Sequence, residues 1–259
     1  MSDQGAVRYR KEGAAAHITF DRPAARNAMT WTMYEQLAQA CEQVAADPAV
    51  RVAVLRGAGG KAFVAGTDIA QFRAFESAQD GVEYERKVAQ YLAHVENLRV
   101  PTLAVIEGWA IGGGLAIAAV CDLRIATPGT RFGVPIARTL GNCLSLENLA
   151  LLVAAFGAAR TKKMLILAEN LTAEEALGAG FLAEIVAPEA LDARVRELCA
   201  RLAAHAPVTL RVTKEALRRL LHAGLPGDAD LIRECYGSRD FHIGVEAFLA
   251  KQPPHWTGS

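Results

Sequence analysis

At 259 residues, 52% of them hydrophobic, the chain can bury a large core in one domain or two. Its 28 Lys and Arg balance 28 Asp and Glu, so bulk charge gives no reason to expect a nucleic-acid or anionic-membrane partner, and a charged ligand must be met locally. Five scattered cysteines (Cys41, Cys121, Cys143, Cys199 and Cys235) without C-x-x-C spacing argue against a disulfide framework or a zinc site and fit a reducing cytoplasm.

The opening MSDQGAVRYRKEG has no apolar leader segment, and no run approaches the ~18 apolar residues that would span a bilayer. HITF (17–20) reads as the first strand. A helix follows on Met33, Leu37, Cys41 and Val44, with Thr32-x-x-Glu35 as its expected capping box. VRVAVLRG (50–57) and AFVAG (62–66) are strand-like runs around GAGG (57–60), which fits neither G-x-G-x-x-G nor a P-loop and reads as a turn. PTLAVIEG (101–108), DLRIAT (122–127) and AEIVA (183–187) complete the predicted strands, and Thr172-x-x-Glu175 is a second capping box. From Leu191 only helical patterns follow. The expectation is an α/β core over 1–190 and a helical, oligomerising region over 191–259, with no linker between them.

Gly112, Gly113 and Gly114 separate an apolar strand from an apolar helix. Such a run serves a tight turn or close backbone approach. It also bares N–H groups at a helix start, where an anion or oxyanion can sit. No G-x-S-x-G motif supports a serine hydrolase, and none of the six histidines falls in a motif.

With RPAARNAMT (22–30), KAFVAGTDI (61–69), IEGWAIGGGLAIAAVCDLRIAT (106–127), RFGVP (131–135) and GFLAEIV (180–186), the chain resembles the crotonase superfamily, the enoyl-CoA hydratase/isomerase family, essentially end to end. The resemblance implies a ββα spiral with two roughly perpendicular sheets, C-terminal helices that support trimers or hexamers built from two trimers, and an acyl-CoA thioester as ligand. No separate cofactor is implied, since coenzyme A arrives as part of the substrate. It also implies that the backbone N–H groups of Thr67 and Gly113 hold the thioester oxygen. Ala25 and Arg26 are placed beside the CoA arm, Ala65, Asp68 and Ile69 around the pantetheine and adenine, and Lys251 near the phosphates. Asp68 and Asp122 each sit beside a turn and read as caps of local N–H groups rather than bases.

The resemblance breaks at the chemistry. Family hydratases use two glutamates; the corresponding positions here are Ala116 and Ile136, which cannot move a proton. The loop after Ile136 is one residue longer than the usual pattern. It supplies Arg138, Asn142, Cys143 and Ser145, candidates for the acyl pocket together with Ala116 and Ile136. Of these, Ser145 or Asn142 reads equally as a helix N-cap and Cys143 as a small packed residue. Three functions follow as expectations: a crotonase-type enzyme that stabilises a thioester enolate, within that class a decarboxylase, which forms the enolate without a base, or a non-catalytic CoA-ester binder.

Overall fold

The computed structural model describes residues 4–258; residues 1–3 and 259, the outermost positions of the two expected regions, lie outside the described residues. The strands are β1 (Ala6–Glu12), β2 (Ala15–Asp21), β3 (Val52–Gly57), β4 (Ala62–Val64), β5 (Thr102–Ile106), β6 (Trp109–Ile111), β7 (Leu123–Ala126), β8 (Arg131–Gly133), β9 (Leu171–Thr172) and β10 (Glu184–Ile185). They form a six-stranded sheet, β1-β2-β3-β5-β7-β10, and a four-stranded sheet, β4-β6-β8-β9. Apart from the β1–β2 hairpin and the β8–β9 pair, the neighbours run parallel.

The helices are α1 (Trp31–Ala46), α2 (Ala78–Glu96), α3 (Gly113–Val120), α4 (Ile136–Thr139), α5 (Leu146–Leu165), α6 (Ala173–Gly178), α7 (Leu191–Ala204), α8 (Pro207–His222), α9 (Ala229–Tyr236) and α10 (Arg239–Leu249). Three successive ββα turns, β3-β4-α2, β5-β6-α3 and β7-β8-α4, each lay one strand in each sheet before a helix returns the chain. This is the expected α/β fold class, two sheets with a helical C-terminal extension.

The large sheet is buried on both faces, which is why its central strands read as unbroken apolar runs. Ala53, Leu55, Ala104 and Ile106 enter the main core, while the alternating Val52, Val54, Leu103 and Val105 meet Leu191, Val195 and Cys199 of α7. So α7 covers the core sheet. Tyr236 of α9 and Phe241 and Val245 of α10 also reach the main core, whereas α8 has no buried residue.

Of the two expected capping boxes, one changes and one holds. Helix α1 starts at Trp31, and its cap is Thr30, whose Oγ1 accepts the Met33 N–H at 3.2 Å, so Thr32 lies inside the helix. The Thr172/Glu175 capping box at α6 is present with both of its hydrogen bonds.

Candidate active site

The glycine run works by crowding and by turning. Gly112 bends the chain at φ 53° into α3, and a Cβ on Gly114 would lie 2.0 Å from the Val64 carbonyl oxygen, so only glycine lets α3 seat against β4. Gly113 is the first residue of α3, where a backbone N–H has no partner within the helix and the dipole favours negative charge. Its Cβ position lies 3.9 Å from Thr67 N and 3.4 Å from Thr67 Oγ1, which brings the two expected oxyanion donors to one spot.

Thr67 is fixed from behind. Its hydroxyl bridges two buried phenols, Tyr34 Oη at 3.0 Å and Tyr84 Oη at 2.9 Å, and its backbone pairs with Met29 in an isolated bridge. Burial pushes the Tyr34 phenol up to about 12 and the Tyr84 phenol well above its ordinary value, so both stay neutral hydrogen-bonding groups. The Thr67 hydroxyl thus holds the loop.

In front of Thr67 and Gly113 lies a cavity of about 140 Å³. An apolar cavity of ~150 Å³ holds benzene, so the space suits a short acyl group. Ala65, Ala116 and Ile136 line it with alkyl groups, joined by Val88, Leu152 and Phe248. Asn142 also lines it, and its Oδ1 is buried with no hydrogen-bond partner among the described residues.

The other expected site residues lie elsewhere. Arg138 is exposed on α4 and is not among the cavity residues. Ser145 caps α5, its Oγ accepting the Asn148 N–H at 3.4 Å, and stands outside the cavity lining. Cys143 is half-buried beside Cys235, and that neighbour together with burial pushes its thiol far up, the opposite of a reactive thiolate. Of these three, Ser145 and Cys143 take the capping and packing places that the sequence also offered, and Arg138 faces solvent. Asp68 caps a short 3₁₀ turn through the Ala70 N–H at 3.1 Å and pairs with Arg22 at 2.8 Å. Asp122 accepts from Thr102 N and Oγ1 and pairs with Lys214 at 2.6 Å. Asp68 thus caps its own turn as expected, whereas Asp122 ties β5 to the segment before β7 and to α8 rather than capping a local turn.

Ala25 ends a 3₁₀ turn, and the exposed Arg26 follows at φ 51°, its carbonyl accepting the Ala65 N–H at 3.1 Å. Lys251 is exposed just beyond α10, which packs on the 3₁₀ segment beginning at Ile69. Ala25, Arg26, Asp68, Ile69 and Lys251 are not among the cavity-lining residues, whereas Ala65 is.

Sequence reasoning missed Glu85. This α2 residue is only 4% exposed, lines the cavity, and accepts from Tyr236 Oη at 2.8 Å and from Ser145 N at 3.1 Å. Tyr236 reaches it because Gly81 leaves room for the ring: a Cβ there would stand 2.2 Å from Tyr236 Cγ. Burial pushes the Glu85 carboxyl up to about 7, against the lowering effect of those two donors, with Asp228 adding to the rise. The signal was available, since Gly81, Tyr84, Glu85, Val88, Leu92 and Val95 form one buried stripe at helical spacing with a carboxyl in it.

The two-sheet ββα spiral, with Thr67 and Gly113 meeting beside a cavity, has the architecture of a crotonase-type protein. The Enoyl-CoA hydratase/isomerase family description matches residues 10–259, and the chain belongs to that family. It is 30% identical over 251 residues to the short-chain-enoyl-CoA hydratase of Clostridium acetobutylicum, covering 93% of this chain and 94% of that one. It is 35% identical over 201 residues to the (E)-benzylidenesuccinyl-CoA hydratase of Thauera aromatica, covering 78% and 77%. Among solved structures it is similar to a methylmalonyl-CoA decarboxylase in complex with 2-nitronate-propionyl-CoA, at TM-score 0.90 and 27% identity over 98% of both chains. It is also similar to an enoyl-CoA hydratase/carnithine racemase from Magnetospirillum magneticum, at TM-score 0.79 and 33% identity over 98% and 96%.

Proposed function

We propose that the protein is an acyl-CoA enzyme that binds a short acyl thioester with its carbonyl oxygen between the Thr67 and Gly113 N–H groups and stabilises the enolate formed there. The observation that carries this reading is the meeting of those two residues at the mouth of a helix, over a cavity of acyl size. The exposed Arg26 and Lys251 suit the CoA phosphates, and Ala25, Ala65, Asp68 and Ile69 the rest of the CoA arm. Binding only to the native state raises the melting temperature by mass action. In a thermal-shift titration, acetyl-CoA is expected to bind in the micromolar range; no shift at millimolar ligand contradicts the reading.

A second feature favours decarboxylation over hydration. Ala116 and Ile136, the positions at which the resemblance implies the glutamates of family hydratases, bear alkyl groups, and both line the cavity wall. Loss of carbon dioxide from a malonyl-type thioester delivers the enolate electron pair without a base, and a desolvated carboxylate over an oxyanion site suffices. The likeness to a methylmalonyl-CoA decarboxylase supports the same reading.

An oligomer is supported by α8, whose Val208, Val212, Leu217 and Leu220 are all exposed, as are Leu225 and Leu231 beyond it. Exposed apolar side chains in this number suit a subunit interface. Light scattering is expected to give a trimer or hexamer, and a monomer near 27.7 kDa contradicts it.

A further inference from the structure

We propose that Glu85 is the group that carries the proton to and from the α-carbon of the bound acyl thioester, with Tyr236 as its positioning residue. The inference rests on the acyl-CoA reading above and adds the acid/base to it.

Three observations converge on this carboxyl. Glu85 shares one cavity with Thr67 and Gly113, so a thioester held by the two N–H groups brings its acyl carbons into the space that Glu85 lines. Its orientation is over-determined: Tyr236 donates to Oε1 and the Ser145 N–H to Oε2, while Asn142 Nδ2 donates to Tyr236 Oη at 3.2 Å. The third is the unpartnered Asn142 Oδ1 on the same wall, a buried acceptor that the protein alone leaves unsatisfied and that a bound ligand can use. A carboxyl buried only to brace the Ser145 turn would account for the second observation and not for the other two.

The electrostatics suit the task. Glu85 is faced by Tyr236 and Cys235 of α9, Asp228 before it, Cys143 of the loop, Tyr34 of α1 and its own neighbour Tyr84. These groups are neutral or acidic, and with burial they leave a carboxyl that titrates at about 7 and so gives and takes a proton near neutral pH.

In the exchange direction, a carboxylate oxygen of Glu85 takes an α-hydrogen of the thioester as a proton. The C–H electron pair moves into the enolate, and the negative oxygen is held by Thr67 and Gly113. In the decarboxylation direction, the bond from Cα to the substrate carboxylate breaks, carbon dioxide leaves, and neutral Glu85 gives its proton to Cα. Water then reprotonates the carboxylate.

The test is α-deuterium uptake by propionyl-CoA in deuterium oxide, followed by mass spectrometry, with binding measured separately by calorimetry. Wild-type protein is expected to exchange, with a rate that rises through an apparent pKa near 7 as the carboxylate forms. Glu85→Gln, which keeps an acceptor for Tyr236, should bind propionyl-CoA within about threefold and exchange at least ~10² more slowly, with no such pH step. Tyr236→Phe removes a donor to the carboxylate, so its step should move to higher pH while exchange persists. That shift is a readout which mere bracing would not produce, and it stands even if the glutamine variant fails to fold. Failure of wild-type protein to bind propionyl-CoA overturns the acyl-CoA reading and this assignment with it. Binding without exchange, or exchange that Glu85→Gln leaves within threefold, overturns the Glu85 assignment alone.

Discussion

Crotonyl-CoA should be hydrated at least ~10² more slowly than by a family hydratase that carries both glutamates, because each positioned acid or base contributes ~10²–10⁴. Hydration needs one group to activate water and another to deliver a proton to the α-carbon. The cavity wall holds Ala116 and Ile136 at the two expected positions and one carboxyl, Glu85, on a different element. Placing glutamate at both positions, Ala116→Glu with Ile136→Glu, should restore only part of the rate. If the loop after Ile136 is longer than the family pattern, as the resemblance implies, the second carboxylate would point elsewhere, and small errors of placement are expensive. A stopped assay of 3-hydroxybutyryl-CoA formation measures this directly. Rapid hydration by the wild type would contradict the proposed departure from hydratase chemistry.

The second large effect is expected at Gly113. Proline is tolerated at the first position of a helix and has no N–H, so Gly113→Pro removes one oxyanion donor. The control is Gly113→Ala, which keeps the N–H and adds the same Cβ, 2.9 Å from Tyr34 Oη. The difference between the two variants isolates the donor, and loss of a donor of this kind costs ~10²–10³ in rate. The measurement is turnover of the thioester that the wild type converts fastest, with melting temperatures to confirm folding. Equal activity in the two variants would remove Gly113 N–H from the oxyanion site.

The strands that the sequence revealed are those whose surroundings are simple. β3 and β5 are apolar throughout because the sheet is covered on both faces. β1, AVRYRKE, escaped because it is a largely exposed edge strand, and β8 and β9 because two or three residues carry no period. Helix α9 falls within the helical stretch expected from Leu191, but ADLIRECY is two turns long and its two buried residues, Ile232 and Tyr236, define no stripe of their own.

At the candidate site, the meeting of Thr67 and Gly113 was legible through the motifs around them, since a glycine run before a helix limits what the backbone can do. The acyl wall was less so. Asn142, Ala116 and Ile136 do line the cavity, but Arg138 and Ser145 differ from Asn142 only in which way a short loop turns, and no local rule decides that. Glu85 and Tyr236 stand 151 residues apart and meet through a helix–helix contact that Gly81 permits. In sequence, Glu85 sits in VEYERK and looks like one more solvated charge; only its phase on the buried stripe of α2 sets it apart.

The most direct measurement incubates the protein with crotonyl-, 3-enoyl-, malonyl-, methylmalonyl- and hydroxycinnamoyl-CoA and follows product masses. The account predicts conversion through an enolate, with malonyl- or methylmalonyl-CoA losing carbon dioxide while crotonyl-CoA stays largely unhydrated. Binding of these thioesters with none of them converted would contradict it and leave a CoA-ester binder in place of an enzyme.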